Sequence, residues 1–343
     1  MKKKMFACTA MVMMFVLMMV SGGYAKSDSE KEFKLTFGSP FPKAHPNSIA
    51  DMNWIEKIKK ETNGRVQITP YWGGALVSVR EAFGEISRGV ADIGSVSLNY
   101  SPAGFDLSVK EQLFYYGTPS IEVLRRVYHE IHAKYPEDKK LSEVKILARA
   151  SMPPYQALTN KPVRTLKDFK GLSLKALPHL IGPLKELGAE GVAISMFDVY
   201  VALEKGTIDG LFGPYEALKS LRLGEVVKYC TYLNISNGIT PQRIMNLKTW
   251  NSLPPDIQKV FEDNVDWWGY EMQKILEDAD EDGIRFAKSQ GAEFIELSNA
   301  DLKAYYDLLE VVAKKEAADL DAKGLPGTEI FQETRRLINL YSR

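Results

Sequence analysis

Short strand-like runs separated by amphipathic segments recur from Phe33 onward, and few folds accept that order. Phe33–Phe37 (FKLTF) alternates in the manner of a strand, and Gly38-Ser39-Pro40-Phe41-Pro42 interrupts it. Asn47 is placed to cap a helix running to about Glu61, and Thr62-Asn63-Gly64 to end it. Val66–Thr69 alternates again, Ser78 can cap a helix over Val79–Arg88, and Ala91–Val96 reads as a short buried strand. A β-α-β-α-β order implies a parallel, doubly wound sheet. A helix over Ile121–Lys134 and a strand over Val144–Ala150 continue it.

The stretch Lys161–Pro214 gathers the most informative residues. Leu172, Leu174 and Ala176 point one way and Ser173, Lys175 and Leu177 the other, which is the period of a half-buried strand. That carries Lys175 to the carboxyl end of a strand, where open α/β sheets bind ligands. Phe197–Lys205 has helical spacing, and Thr207–Leu211 enters a turn at Gly213-Pro214. Farther on, apolar residues recur at helical spacing from Pro254 to about Gln290, which unbroken would span roughly 50 Å. Such a helix is a spine touching two lobes, bent if anywhere at Gly269 or Gly283; the alternative is two helices parted near Gly283. A strand over Phe294–Leu297, a helix capped by Ser298 and a last helix from about Thr328 close the chain.

Lys2–Lys4, the apolar run Met5–Val20 and Gly23-Tyr24-Ala25 have the layout of a cleaved secretory signal peptide over residues 1–25. The run is short for a membrane span of about 20 residues, so no stable membrane insertion is expected after cleavage. Three of the 44 Lys and Arg lie in that leader, leaving 41 against 44 Asp and Glu. A mature charge near −3 argues against nucleic acid and against a basic membrane-binding face. Only Cys230 of the 2 cysteines survives cleavage, so no internal disulfide forms. The remaining 318 residues exceed what one core usually serves, which implies two domains.

No motif for catalysis or metal binding stands out. His129 and His132 are three apart, which puts both on one helix face and allows a weak surface metal site; with no further ligand cluster beside them, two surface histidines are the expectation. No G-x-S-x-G, P-loop or C-x-x-C occurs. Asp278, Asp280, Glu281 and Asp282 read as the solvated face of the long helix. No cofactor and no metal are expected.

In the segments ETNGRVQITPYWGG, GEISRGVADIGSVS, KPVRTLKDFKGLSLK, FDVYVALEKGTIDG and LPPDIQKVFEDN, in that order, the sequence resembles the dicarboxylate-binding (DctP) type of extracytoplasmic solute-binding proteins of tripartite ATP-independent periplasmic (TRAP) transporters. The resemblance covers essentially the whole mature chain. It implies a two-lobed, type II-like α/β periplasmic binding protein with crossing strands and a long helix. The lobes would comprise 26–152 plus 239–279, and 153–238 plus 280–343. It also implies a small-molecule solute held in the inter-lobe cleft, delivery to TRAP permease membrane subunits, and a periplasmic location.

Several positions depart from the family pattern. Lys175 stands where relatives carry a carboxylate-gripping arginine; it keeps the charge and loses the planar fork. Tyr155 stands where a second arginine is common, Gly213 follows Phe212 in place of an asparagine before the proline, Met196 replaces a frequent aromatic, and Trp72 alters a glycine turn. These changes imply an organic acid with an apolar or aromatic part. Lys175 would face its acidic group, Tyr155 and Ser97 would supply polar contacts, and Phe41, Met196, Phe212 and Tyr215 would form apolar walls. A periplasmic hydrolase or lyase on the same scaffold, or a ligand-presenting sensory protein, remains compatible with the sequence.

Overall fold

A computed structural model describes residues 31–101, 103–235 and 239–342; the leader expected over 1–25 lies outside the described residues. The chain forms eleven strands in two sheets among those residues. The first sheet contains β1 (Phe33–Gly38), β2 (Val66–Tyr71), β3 (Ile93–Ser97), β4 (Val144–Ser151) and β10 (Ile239–Asn246) in the order β2-β1-β3-β10-β4. The second contains β5 (Tyr155–Thr159), β6 (Ser173–Lys175), β7 (Glu190–Val192), β8 (Gly210–Gly213), β9 (Tyr229–Ile235) and β11 (Glu293–Glu296) in the order β11-β9-β5-β8-β6-β7. Alternation works as expected in β1, where Leu35 and Phe37 are buried.

One strand in each sheet runs against the others. In the first it is β10, antiparallel to both β3 and β4; in the second it is β5, antiparallel to β8 and β9. These are the strands that have just crossed between sheets. Only Met152-Pro153-Pro154 separates β4 from β5, and a similarly short link joins β9 to β10. Prolines in the first link remove two backbone donors where no ladder partner awaits them.

The third connection is helical. The helix Val265–Ser289 places Trp268, Met272 and Leu276 in the core of the first sheet and Ala287 in a core of the second. It is shorter than the sequence reading had it, because a separate helix, Pro255–Asp263, precedes it. The break falls at Asn264 (φ −104, ψ 7), whose side-chain amide bonds the Val260 carbonyl at 2.8 Å and the Glu61 carboxylate at 2.5 Å. No break occurs at Gly269 or Gly283; both are sites of close backbone approach. A Cβ on Gly269 would lie 2.7 Å from the Arg149 carbonyl oxygen.

Smaller differences have local causes. The helix Pro46–Glu61 is capped by His45, whose Nδ1 accepts from the Asn47 N–H, and not by Asn47. Ser78 caps only a turn, and the helix beyond it is Ala82–Ser87. The His132 side chain is only 7% exposed, its ring nitrogen 3.1 Å from the Glu111 carboxylate and its ring centroid 4.0 Å from that of Tyr128. Asp280 leaves the solvated face of the long helix to accept the Glu216 N–H at 2.7 Å. Residues 107–135 fell in the first lobe by sequence, yet Leu113, Phe114, Leu124 and Ile131 share a core with Ala157 and Phe212 of the second sheet.

A fully buried charge pair sits under the first sheet. Arg243 on β10 donates to both oxygens of Asp51, at 2.6 and 3.0 Å, and both side chains are inaccessible. The Trp268 indole N–H donates to the same carboxylate at 3.0 Å. This one network joins a crossing strand, the first helix and the spine.

Candidate ligand-binding cleft

The carboxyl ends of the parallel strands converge on one cavity. Pro40 and Phe41 follow β1, Ser97, Asn99 and Tyr100 end or follow β3, Leu177 follows β6, Met196 and Phe197 follow β7, and Pro214 and Glu216 follow β8. Met152 reaches it from the crossing link and Tyr155 from the start of β5. That is where doubly wound sheets place ligands, because the loops leaving adjacent strands diverge there. The cavity encloses about 840 Å³ of non-atom space, part of it open to solvent. Its walls meet where the Phe41 ring packs edge-on against Phe197, centroids 5.8 Å apart.

Four of the expected residues line it: Phe41, Ser97, Tyr155 and Met196. Lys175 is not a lining residue. It is 1% exposed at the end of β6, with its ammonium 6.0 Å from the ring centroid of Tyr100, which does line the cavity. Among the described residues that ammonium has no ion-pair or hydrogen-bond partner.

Three expected residues lie elsewhere. Phe212 is buried in the core below the second sheet, its ring 6.0 Å from that of Phe169. Gly213 pairs with Gln156 inside the sheet. Tyr215 turns its ring toward Phe294, 5.6 Å away. Phe212 and Gly213 share one reason: helices cover both faces of this sheet, so residues in the middle of it face a core. Tyr215 lies beyond the end of β8, and its ring packs on the Phe294 side, away from the cleft.

Sequence reasoning missed His45, Asn99, Tyr100, Phe197 and Glu216. Asn99 and Tyr100 follow directly on Ser97, which is the one hint the sequence carried. Asn99 and the buried Gln112 exchange amide hydrogen bonds at 2.6 and 3.0 Å, which holds Asn99 in place. His45 is buried and stacked on Phe41 at 4.6 Å; burial, then the Arg243 charge, lowers its pKa to about 4. Because its Nδ1 accepts from Asn47, the neutral ring carries its proton on Nε2.

The acid chemistry of the cavity is concentrated in Glu216. Burial raises its pKa to about 7 against the opposing Ser220 hydrogen bond, and Asp280 is likewise raised to about 7 by burial. Burial first, then Tyr100 and Glu216, raises the Tyr155 phenol far above its ordinary range, so it stays a neutral hydrogen-bond donor. Among the described residues no group of His, Cys, Asp and Glu could hold a metal ion, and no helix is long and apolar enough to cross a membrane.

Residues 37–319 match the family of bacterial extracellular solute-binding proteins, family 7 (DctP). This chain belongs to that family. A family 7 fold accounts for the two sheets, the paired crossings and the spine. The chain is 30% identical to a TRAP periplasmic solute-binding protein of Desulfovibrio salexigens, over 90% of this chain and 97% of that one, with a TM-score of 0.77. That protein was captured as an open complex with the C-terminus of a symmetry mate in its ligand-binding site. A marine metagenome TRAP solute-binding protein specific for aromatic acids, holding 3-hydroxybenzoate, superposes with a TM-score of 0.82 at 22% identity, over 91% of this chain and all of that one. In sequence, the monocarboxylate 2-oxoacid-binding periplasmic protein of Nostoc sp. is 24% identical over 81% of this chain and 79% of its own length. Family 7 proteins of this fold are periplasmic solute-binding components of TRAP transporters, and this chain is a solute-binding protein of that type.

Proposed function

We propose that this chain captures an organic monocarboxylate with an apolar or aromatic body and hands it, unchanged, to TRAP permease subunits. The observation that carries this reading is the pairing of an aromatic-walled cavity with one buried, unpartnered ammonium, Lys175, beside its Tyr100 wall. A buried charge without a partner is costly, and a ligand carboxylate reaching past Tyr100 relieves that cost. Phe41, Phe197, Met196 and Leu177 supply the apolar surface, and the Tyr155 hydroxyl and Ser97 supply neutral polar contacts. The aromatic acid of one structural relative and the monocarboxylate of the Nostoc relative fit the same chemistry.

Closure follows from contact with both walls. A ligand touching Phe41 on one side and Phe197 on the other favours the closed arrangement by its differential affinity, with the crossing links as hinges. In this reading the lobes divide at those links, near 152 and 239, with residues 107–135 packed on the second lobe, and residues 1–25 act as the export signal. No covalent step is involved in this reading: the solute is released as it was bound.

Calorimetric titration with aromatic and aliphatic monocarboxylates, set beside small dicarboxylates, tests the reading. Monocarboxylates with a ring should bind best, and Lys175→Ala should weaken them at least tenfold. A small dicarboxylate as best ligand, indifferent to Lys175→Ala, overturns it, as does conversion of the ligand followed by NMR. Mass spectrometry of the exported protein should find Lys26 at its N-terminus.

A further inference from the structure

Glu216 is the one acidic side chain among the described residues lining the cavity, and it is 4% exposed. Two ties fix its position. Its Oε2 accepts from the Ser220 hydroxyl at 2.5 Å, and its backbone N–H is held at 2.7 Å by Asp280 on the spine. Its other oxygen, Oε1, has no partner among the described residues. Oε1 is not among the buried side-chain atoms left without a partner, so this oxygen of an immobilised carboxyl keeps access to open space and is free to accept from a ligand.

We propose that Glu216 is the specificity-determining residue of the cleft, accepting a hydrogen bond from a hydroxyl on the apolar end of a monocarboxylate and excluding dicarboxylates of the same length. This rests on the proposed capture of organic acids. A ligand's carboxylate is repelled by Glu216 and drawn to Lys175, so the acid end goes to the ammonium and the opposite end meets Oε1. A hydroxyl there satisfies Glu216. A bare ring edge leaves Oε1 unpaired, and a second carboxylate sets two anions together in a water-poor site. The burial that raises the Glu216 pKa also makes such a pair costly, since the site already disfavours one negative charge.

The test is titration calorimetry on the mature protein at pH 8 with benzoate, 3-hydroxybenzoate and isophthalate. The 3-hydroxybenzoate should bind roughly tenfold more tightly than benzoate, and isophthalate at least roughly tenfold more weakly than benzoate. In Glu216→Gln, whose amide keeps an acceptor for Ser220, the ratio between 3-hydroxybenzoate and isophthalate should shrink by at least tenfold. Equal affinities for all three acids in the wild-type protein, or an unchanged ratio in the variant, overturn the role of Glu216 while leaving organic-acid capture standing. Binding of none of the three by a protein that does bind aliphatic acids also overturns it. Should the variant fail to fold, the wild-type ratios decide alone.

Discussion

The carbonyl oxygen of Tyr215 occupies the place where a side chain on Gly283 would begin: a Cβ there would lie 1.9 Å from it. The spine therefore touches the turn that carries Glu216 backbone to backbone, and the glycine is an instrument of contact, not of bending. Gly283→Ala should destabilise the protein by about 1–3 kcal/mol, as overpacking does. A helix glycine kept only for flexibility would gain up to about 1 kcal/mol on the same change. Urea unfolding separates the two by sign.

Asp51 and Arg243 should behave as a unit. Asp51→Ala leaves a guanidinium buried without its carboxylate and should cost about 3–5 kcal/mol. The double variant Asp51→Ala with Arg243→Met removes both charges and should recover more than half of that loss. Denaturant midpoints of the singles and the double complete the cycle; strict additivity would contradict the pairing.

Stability should respond to pH through Glu216 in the direction opposite to an ordinary ion-paired carboxylate. Its ordinary value of 4.5 applies unfolded and about 7 folded, so across that window the native state holds the extra proton. Stability contributed by the neutral acid is thus complete below about 4.5 and lost as pH rises through about 7. His45 pulls the other way: folded near 4 and unfolded near 6.5, it costs stability as pH falls through that range. Asp280, raised from 3.8 to about 7, adds a slope of the same sign as Glu216, and His45 opposes both, so the wild-type curve alone does not isolate Glu216. Relative to wild type, Glu216→Gln should gain on the order of 2 kcal/mol between pH 4.5 and 7.5. A constant difference across pH would refute the assignment.

Lys175 should trade stability for binding. Lys175 is 1% exposed and its ammonium has no partner among the described residues, so little water reaches it in the empty protein. Lys175→Met should raise unliganded stability by about 1–2 kcal/mol while abolishing the thermal shift produced by organic acids. A less stable variant would mean that the ammonium is satisfied within the fold.

Two classes of property separate in this protein. Alternation in FKLTF, the Ser298 cap, and the run of helical spacing past Pro254 were readable because each depends on consecutive residues; around Leu174 the strand was readable but its half-buried pattern was not, since Lys175 and Leu177 are buried too. They placed Lys175 at a strand end and, with the ordered segments of the resemblance, the family. The cleft was half readable. Phe41, Ser97, Tyr155 and Met196 were found because they stand at or beyond strand ends, and Phe212 and Tyr215 were misassigned because an aromatic near a turn looks alike whether it meets a core or a cavity. Glu216, the buried Asp280 and the Asp51–Arg243 pair, 192 residues apart, carry no local signature at all. Local periodicity states which side chains share a face; only the packing of distant segments decides what that face meets, and burial and pKa follow from the meeting.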